Sequence, residues 1–90
     1  MRAGRVAVGT HAVKEGARRG ELAAVVLAAD ATDNARSRVL PLLAALGVPV
    51  ARCESAEALG RAVGRSRLVV AGIRDASFAE RILAALPPEG

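Results

Sequence analysis

Apolar and polar positions along this chain fall into blocks that switch between two periods. Arg5-Val6-Ala7-Val8, closed by Gly9, reads as a short strand. Behind it Ala12, Val13, Gly16 and Ala17 recur at helical spacing and give a narrow face of small residues over positions 10–19. Thr10 is placed to cap that helix and Gly20 to end it. Lys14, Glu15, Arg18 and Arg19 point away from the apolar face. Positions 22–29 are apolar without alternation, the pattern of a central strand buried on both sides.

The polar turn Asp30-Ala31-Thr32-Asp33-Asn34 leads into a second helix with Ala35, Val39, Leu42, Leu43 and Leu46 on one side, ended by Gly47. Pro41 falls inside it and predicts a kink or a broken first turn. Val48-Pro49-Val50-Ala51 is the third strand, and its proline predicts an edge or strand-start position. Ser55 opens a short helix reaching Val63, with Leu59 and Val63 inward. Leu68-Val69-Val70-Ala71 is the fourth strand, and Gly72-Ile73-Arg74 is expected to be the loop leaving it, with Ile73 exposed. Asp75 or Ser77 then caps a last helix striped by Phe78, Ile82 and Leu86.

Strands that alternate with helices imply crossover connections. The expected architecture is an α/β fold, a three-layer α/β/α sandwich on a four-stranded mixed, largely parallel sheet. Ninety residues leave room for one domain, taken as 1–90, and the chain carries no internal repeat. Hydrophobic residues make up 52% of it, yet 21 are Ala and Phe78 is the only aromatic. That composition excludes intrinsic disorder, and it excludes a stacking platform for unpaired bases, which needs several exposed rings.

Thirteen Lys+Arg against nine Asp+Glu give a net charge of +4, and twelve of those cations are Arg. Arg offers a planar fork of donors suited to phosphate, so an anionic partner is favoured, although such a surplus also serves solubility. One cysteine, Cys53, and one histidine, His11, close neither a disulfide nor a structural zinc site. The opening ten residues lack the apolar run of a signal peptide, and the longest apolar stretch, 22–29, is too short to span a bilayer. A cytoplasmic protein without membrane association is expected.

No nucleophile elbow, Walker loop, dinucleotide-binding glycine pattern or metal-spaced His/Cys cluster occurs. Asp30, Asp33 and Asp75 offer the carboxylates for a Mg²⁺ site, but helix and turn capping accounts for them more simply. Neither an enzyme nor a cofactor is expected. The most informative stretch is Gly9-Thr10-His11, opening a helix that carries Lys14, Arg18 and Arg19. A helix N-terminus presents unpaired N–H groups and a positive dipole end, both attractive to phosphate.

The order of four stretches resembles the L-seven-Ae family of kink-turn-binding ribosomal proteins, particularly its small bacterial members. They are GTHAVKEGARRGE, AAVVLAADATDNA, LGVPVARCESAEALGRAVG and SRLVVAGIRDASFAERIL. Together they cover nearly the whole chain, and Arg2-Ala3-Gly4 resembles the tail of a first helix that family members carry in full. The resemblance implies a non-enzymatic RNA-binding protein of the translation machinery, with structured RNA as partner, a kink-turn-like loop or ribosomal RNA. It places Gly9, Thr10, His11, Ala12, Lys14, Glu15, Arg18 and Arg19 at a first contact surface and Gly72, Ile73 and Arg74 at a second. Archaeal members commonly show Asn-Glu and then Lys where this chain has His11, Ala12 and Glu15. That departure makes a protein-interaction module on the same fold, with a ribosomal or other protein partner, the alternative expectation.

Overall fold

Four strands and four helices alternate through the computed structural model, which describes residues 6–89. They are β1 (Val6–Val8), α1 (Thr10–Arg18), β2 (Ala24–Ala28), α2 (Asp33–Leu46), β3 (Val50–Cys53), α3 (Ala56–Ala62), β4 (Val70–Ile73) and α4 (Ala76–Ala85). The Arg2-Ala3-Gly4 segment lies outside the described residues. The sheet order is β1-β4-β2-β3. β2 is buried along its whole length, as its unbroken apolar run predicts, and β3 is an edge strand that begins just after Pro49, in line with the edge or strand-start position that proline predicts.

The sheet is mixed, but less parallel than its alternating pattern implies. β1, β2 and β3 share one direction, yet β4 inserts antiparallel between β1 and β2, so only β2 and β3 form a parallel pair. The reason lies in the connection before β4. After α3 the chain reverses at Gly64 and returns along that short helix until the Leu68 N–H donates to the Ala56 carbonyl at 2.9 Å. β4 therefore enters the sheet from the end that β3 has just left.

Two cores lie on opposite faces of this sheet. α1 and α2 cover Val25, Leu27 and Val70 with Val13, Ala17, Val39 and Leu43. α3 and α4 cover Val6, Val26, Ala71 and Ile73 with Leu59 and Ala79. Fully burying a Leu or Val side chain is worth roughly 1.5–3 kcal/mol, so these small aliphatic residues supply the stability that the missing aromatics do not. The small face of α1, with Gly16 and Ala17 buried, lets that helix lie close to its neighbours.

Several boundaries differ from the sequence reading. α2 runs unbroken through Pro41, which is exposed, so water can satisfy the carbonyl that proline leaves without a donor. β4 extends to Ile73, because Gly72 and Ile73 pair with Ala7 and Val6. Beyond α4, Pro87, Pro88 and Glu89 line the open edge of β3. The Arg52 N–H donates to the Pro87 carbonyl at 2.8 Å, the Glu89 N–H donates to the Val50 carbonyl at 2.9 Å, and the Arg36 guanidinium pairs with the Glu89 carboxylate. This strap shields an edge that would otherwise offer unpaired backbone groups.

Candidate nucleic-acid interface

Because β1, β2 and β3 run in one direction, their carboxyl ends gather at one end of the sheet, and α1, α2 and α3 all begin there. Three of the four helices of the described residues have a side-chain cap. Thr32 Oγ1 accepts from the Ala35 N–H, Ser55 Oγ from the Ala58 N–H, and Asp75 Oδ1 from the Phe78 N–H. α1 has none: its N-cap position is held by Gly9 at φ 92°, not by Thr10, and its first turn carries no acidic residue. The first intrahelical bond runs from the Val13 N–H to the Gly9 carbonyl at 3.0 Å, which leaves the N–H groups of Thr10, His11 and Ala12 ahead of the ladder.

The neighbour of this helix start is the segment entering β4. The Gly9 N–H donates to the Val70 carbonyl at 3.2 Å, which ties the α1 N-terminus to the loop 64–69. Arg65, Ser66 and Arg67 in that loop are all exposed. The Arg67 guanidinium lies 3.9 Å from the Asp30 carboxylate, with both side chains about half exposed, so the pair is worth little energetically. Asp30 also accepts the Ala56 N–H through Oδ1 at 2.8 Å and so helps to cap α3. Asp75 caps α4 at the opposite end of β4. Asp30 and Asp75 therefore serve as caps at two ends of the sheet, and among the described residues no group of three His, Cys, Asp or Glu residues gathers to hold a metal ion.

The residues anticipated from sequence divide between these two ends. Gly9, Thr10, His11 and Ala12 form the α1 start, with His11 exposed and Lys14 half-buried one turn on. Glu15 accepts a hydrogen bond from Arg18 at 3.0 Å, so its charge is offset locally. Arg18 and Arg19 are exposed at the far end of α1. Gly72 and Ile73 depart from expectation, whereas Arg74 is exposed just beyond β4. Gly72 and Ile73 are buried strand residues, with Ile73 only 2% exposed, so its side chain packs in the core and is not presented on a loop. Arg74 follows the end of β4 that is remote from Gly9, roughly 13 Å along the strand from Val70. Sequence analysis gave no role to Arg65, Ser66 and Arg67, which the structure exposes on the segment entering β4. The signal was a glycine followed by two arginines ahead of an apolar strand.

Residues 1–83 match the ribosomal protein L7Ae/L30e/S12e/Gadd45 family. The chain belongs to this family. Two solved structures resemble this L7Ae-family chain over most of its length. One is a protein of unknown function from Bacillus halodurans, with a TM-score of 0.86 and 29% identity over 92% of this chain and 84% of that one. The other is a 15.5 kD RNA-binding protein of Giardia lamblia, with a TM-score of 0.74 and 27% identity over 91% of this chain and 70% of that one. No curated protein matches the chain.

On its α3/α4 face this L7Ae-family chain has an apolar cleft of about 630 Å³, lined by Leu59, Val63, Phe78, Ile82 and Leu86, with Arg52 and Glu54 beside it. Cys53 also lines the cleft and donates its Sγ–H to the Ser55 carbonyl at 3.3 Å. Burial pushes its pKa above the ordinary thiol value and outweighs the lowering effect of that hydrogen bond, so it is a thiol at neutral pH. Among the described residues no helix is long and apolar enough to cross a membrane.

Proposed function

We propose that this protein binds structured RNA through the end of the sheet where α1 begins, and that it has no catalytic role. Family membership and the resemblance to the Giardia RNA-binding protein support RNA as the partner. The observation that carries the choice of surface is the uncapped, acid-free start of α1, hydrogen-bonded to Val70 at the head of β4, whose entering loop carries the exposed Arg65 and Arg67. Backbone N–H groups of Thr10, His11 and Ala12 donate to phosphate or base-edge oxygens there. His11 and Lys14 on α1 and Arg65 and Arg67 on the loop supply charge-assisted contacts to the backbone. RNA of this class is read through its shape and splayed bases. Arg65, Ser66 and Arg67 take the second contact surface in place of Gly72, Ile73 and Arg74.

The finer reading is a kink-turn-like loop in a ribosomal or other translation-related RNA, bound in the bacterial cytoplasm. Titration against a kink-turn RNA, alongside a control with its G·A pairs replaced and at several salt concentrations, tests it. Tight binding lost in the control bears out kink-turn recognition, and equal, salt-sensitive binding to both indicates a general RNA binder. The apolar cleft between α3 and α4 favours a second reading, a protein-interaction module. It requires no RNA affinity and an association that salt scarcely weakens.

A further inference from the structure

We propose that Gly60 is a positioning residue that holds the arginine loop in its RNA-binding geometry, an inference that rests on the reading above. α3 ends in a glycine-centred turn. Gly64 stands at φ +81°, its N–H donates to the Arg61 carbonyl at 3.3 Å, and the Arg65 N–H donates to the Gly60 carbonyl at 2.7 Å. The chain then doubles back over the buried Gly60 to the Leu68–Ala56 hydrogen bond. A Cβ on Gly60 would lie 2.7 Å from the Arg67 nitrogen, 2.8 Å from the Arg67 Cα and 3.0 Å from the Arg65 carbonyl oxygen.

All three of those atoms are backbone, and they belong to the two arginines assigned to RNA contact. A side-chain tip could rotate away, but backbone cannot, so any larger residue at position 60 displaces the loop itself. Helix propensity argues in the other direction, since Ala is the better helix former and Gly60→Ala favours α3 taken alone. On its other side Arg67 lies near Asp30, whose carboxylate caps α3, a half-exposed pair that adds little to the backbone anchor. A loop fixed in this way presents Arg65 and Arg67 without losing ordering entropy on binding.

Two measurements on Gly60→Ala test the proposal: amide hydrogen exchange at Arg65 and Leu68, and fluorescence-anisotropy titration with a kink-turn RNA. The expected result is faster exchange at both amides and roughly tenfold weaker binding, the loss of about one charge-assisted contact. The slope of log affinity against log salt should fall by about 1. Gly60→Ala should add little to an Arg65→Ala/Arg67→Ala variant, because both act through the same loop. Unchanged exchange, or losses that add in full, would overturn the positioning role. Should Gly60→Ala fail to fold, Gly64→Asn and Gly64→Val provide the second test. Asn tolerates the left-handed conformation and should retain binding, whereas Val should weaken it, and equal affinities would overturn the proposal. Released amides in Gly60→Ala with no RNA binding by the unaltered chain would remove the RNA reading and keep the loop's anchor. RNA binding by the unaltered chain that Gly60→Ala matches would do the reverse.

Discussion

Arg65 and Arg74 flank the same strand, and the two ends of β4 differ in what surrounds them. At its head, the loop 64–69 is hydrogen-bonded through Val70 to the start of α1, a helix that begins without a side-chain cap or an acidic residue. At its tail, Arg74 lies 3.9 Å from Glu21, and the adjoining helix α4 is already capped by Asp75. Both ends offer an arginine. The head joins its cations to a helix start without a side-chain cap, whereas the helix starting at the tail is capped by Asp75. An anion-binding surface thus depends less on the number of arginines than on which helix terminus they accompany.

Ile73 gives the largest predicted effect and the strongest test of this contrast. As a core residue, Ile73→Ala should lower stability by about 2–5 kcal/mol in chemical denaturation, while RNA affinity per folded molecule stays unchanged. A loss of affinity without a loss of stability would return Ile73 to the interface and undo the distinction between the ends. Next comes Arg65→Glu/Arg67→Glu, which reverses two charges at the head. It should weaken RNA binding roughly 100-fold at moderate salt and lower the salt slope by about 2. Unchanged affinity in that variant would remove the loop from the interface.

The sequence made the layers legible, and it made the start of α1 legible. The unbroken apolar run over 22–29 marked β2 as central, Pro49 marked β3 as an edge strand or a strand start, and Gly9 with Thr10 marked the start of α1. The direction of β4 was hidden, because alternation of strands and helices is the same whether a connection crosses the sheet or doubles back. The reversal at Gly64 decides that, and the close approach of Arg67 to Gly60 exists only in three dimensions. The same misplacement concealed the burial of Gly72 and Ile73. With β4 ended at Ala71, Gly72 and Ile73 look like an exposed loop, whereas their pairing with β1 buries both.

A smaller effect is expected at the tail. Asp75→Ala removes the α4 cap, whose Oδ1 accepts from the Phe78 N–H at 3.1 Å, and should cost about 1 kcal/mol of stability. RNA binding should not respond, because α4 starts at the end remote from α1. A joint loss of stability and affinity, measured by thermal melting and titration of one preparation, would mean that the two ends are coupled through β4.

The smallest effect, and the one that separates contact from long-range attraction, is predicted for Arg74→Glu. The reversal sets a second carboxylate beside Glu21, where both side chains are partly exposed, so stability should change by about 0.5 kcal/mol. For RNA held at the head of β4, Arg74 is roughly 13 Å away along the strand. That exceeds the Debye length of about 8 Å at 0.15 M salt, so affinity there should fall by less than about twofold. At 0.01 M salt the screening length grows to about 30 Å, and the same reversal should weaken binding several-fold without altering which RNA is preferred. A tenfold loss persisting at 0.15 M would show Arg74 in direct contact, and the RNA would then have to span the full length of β4.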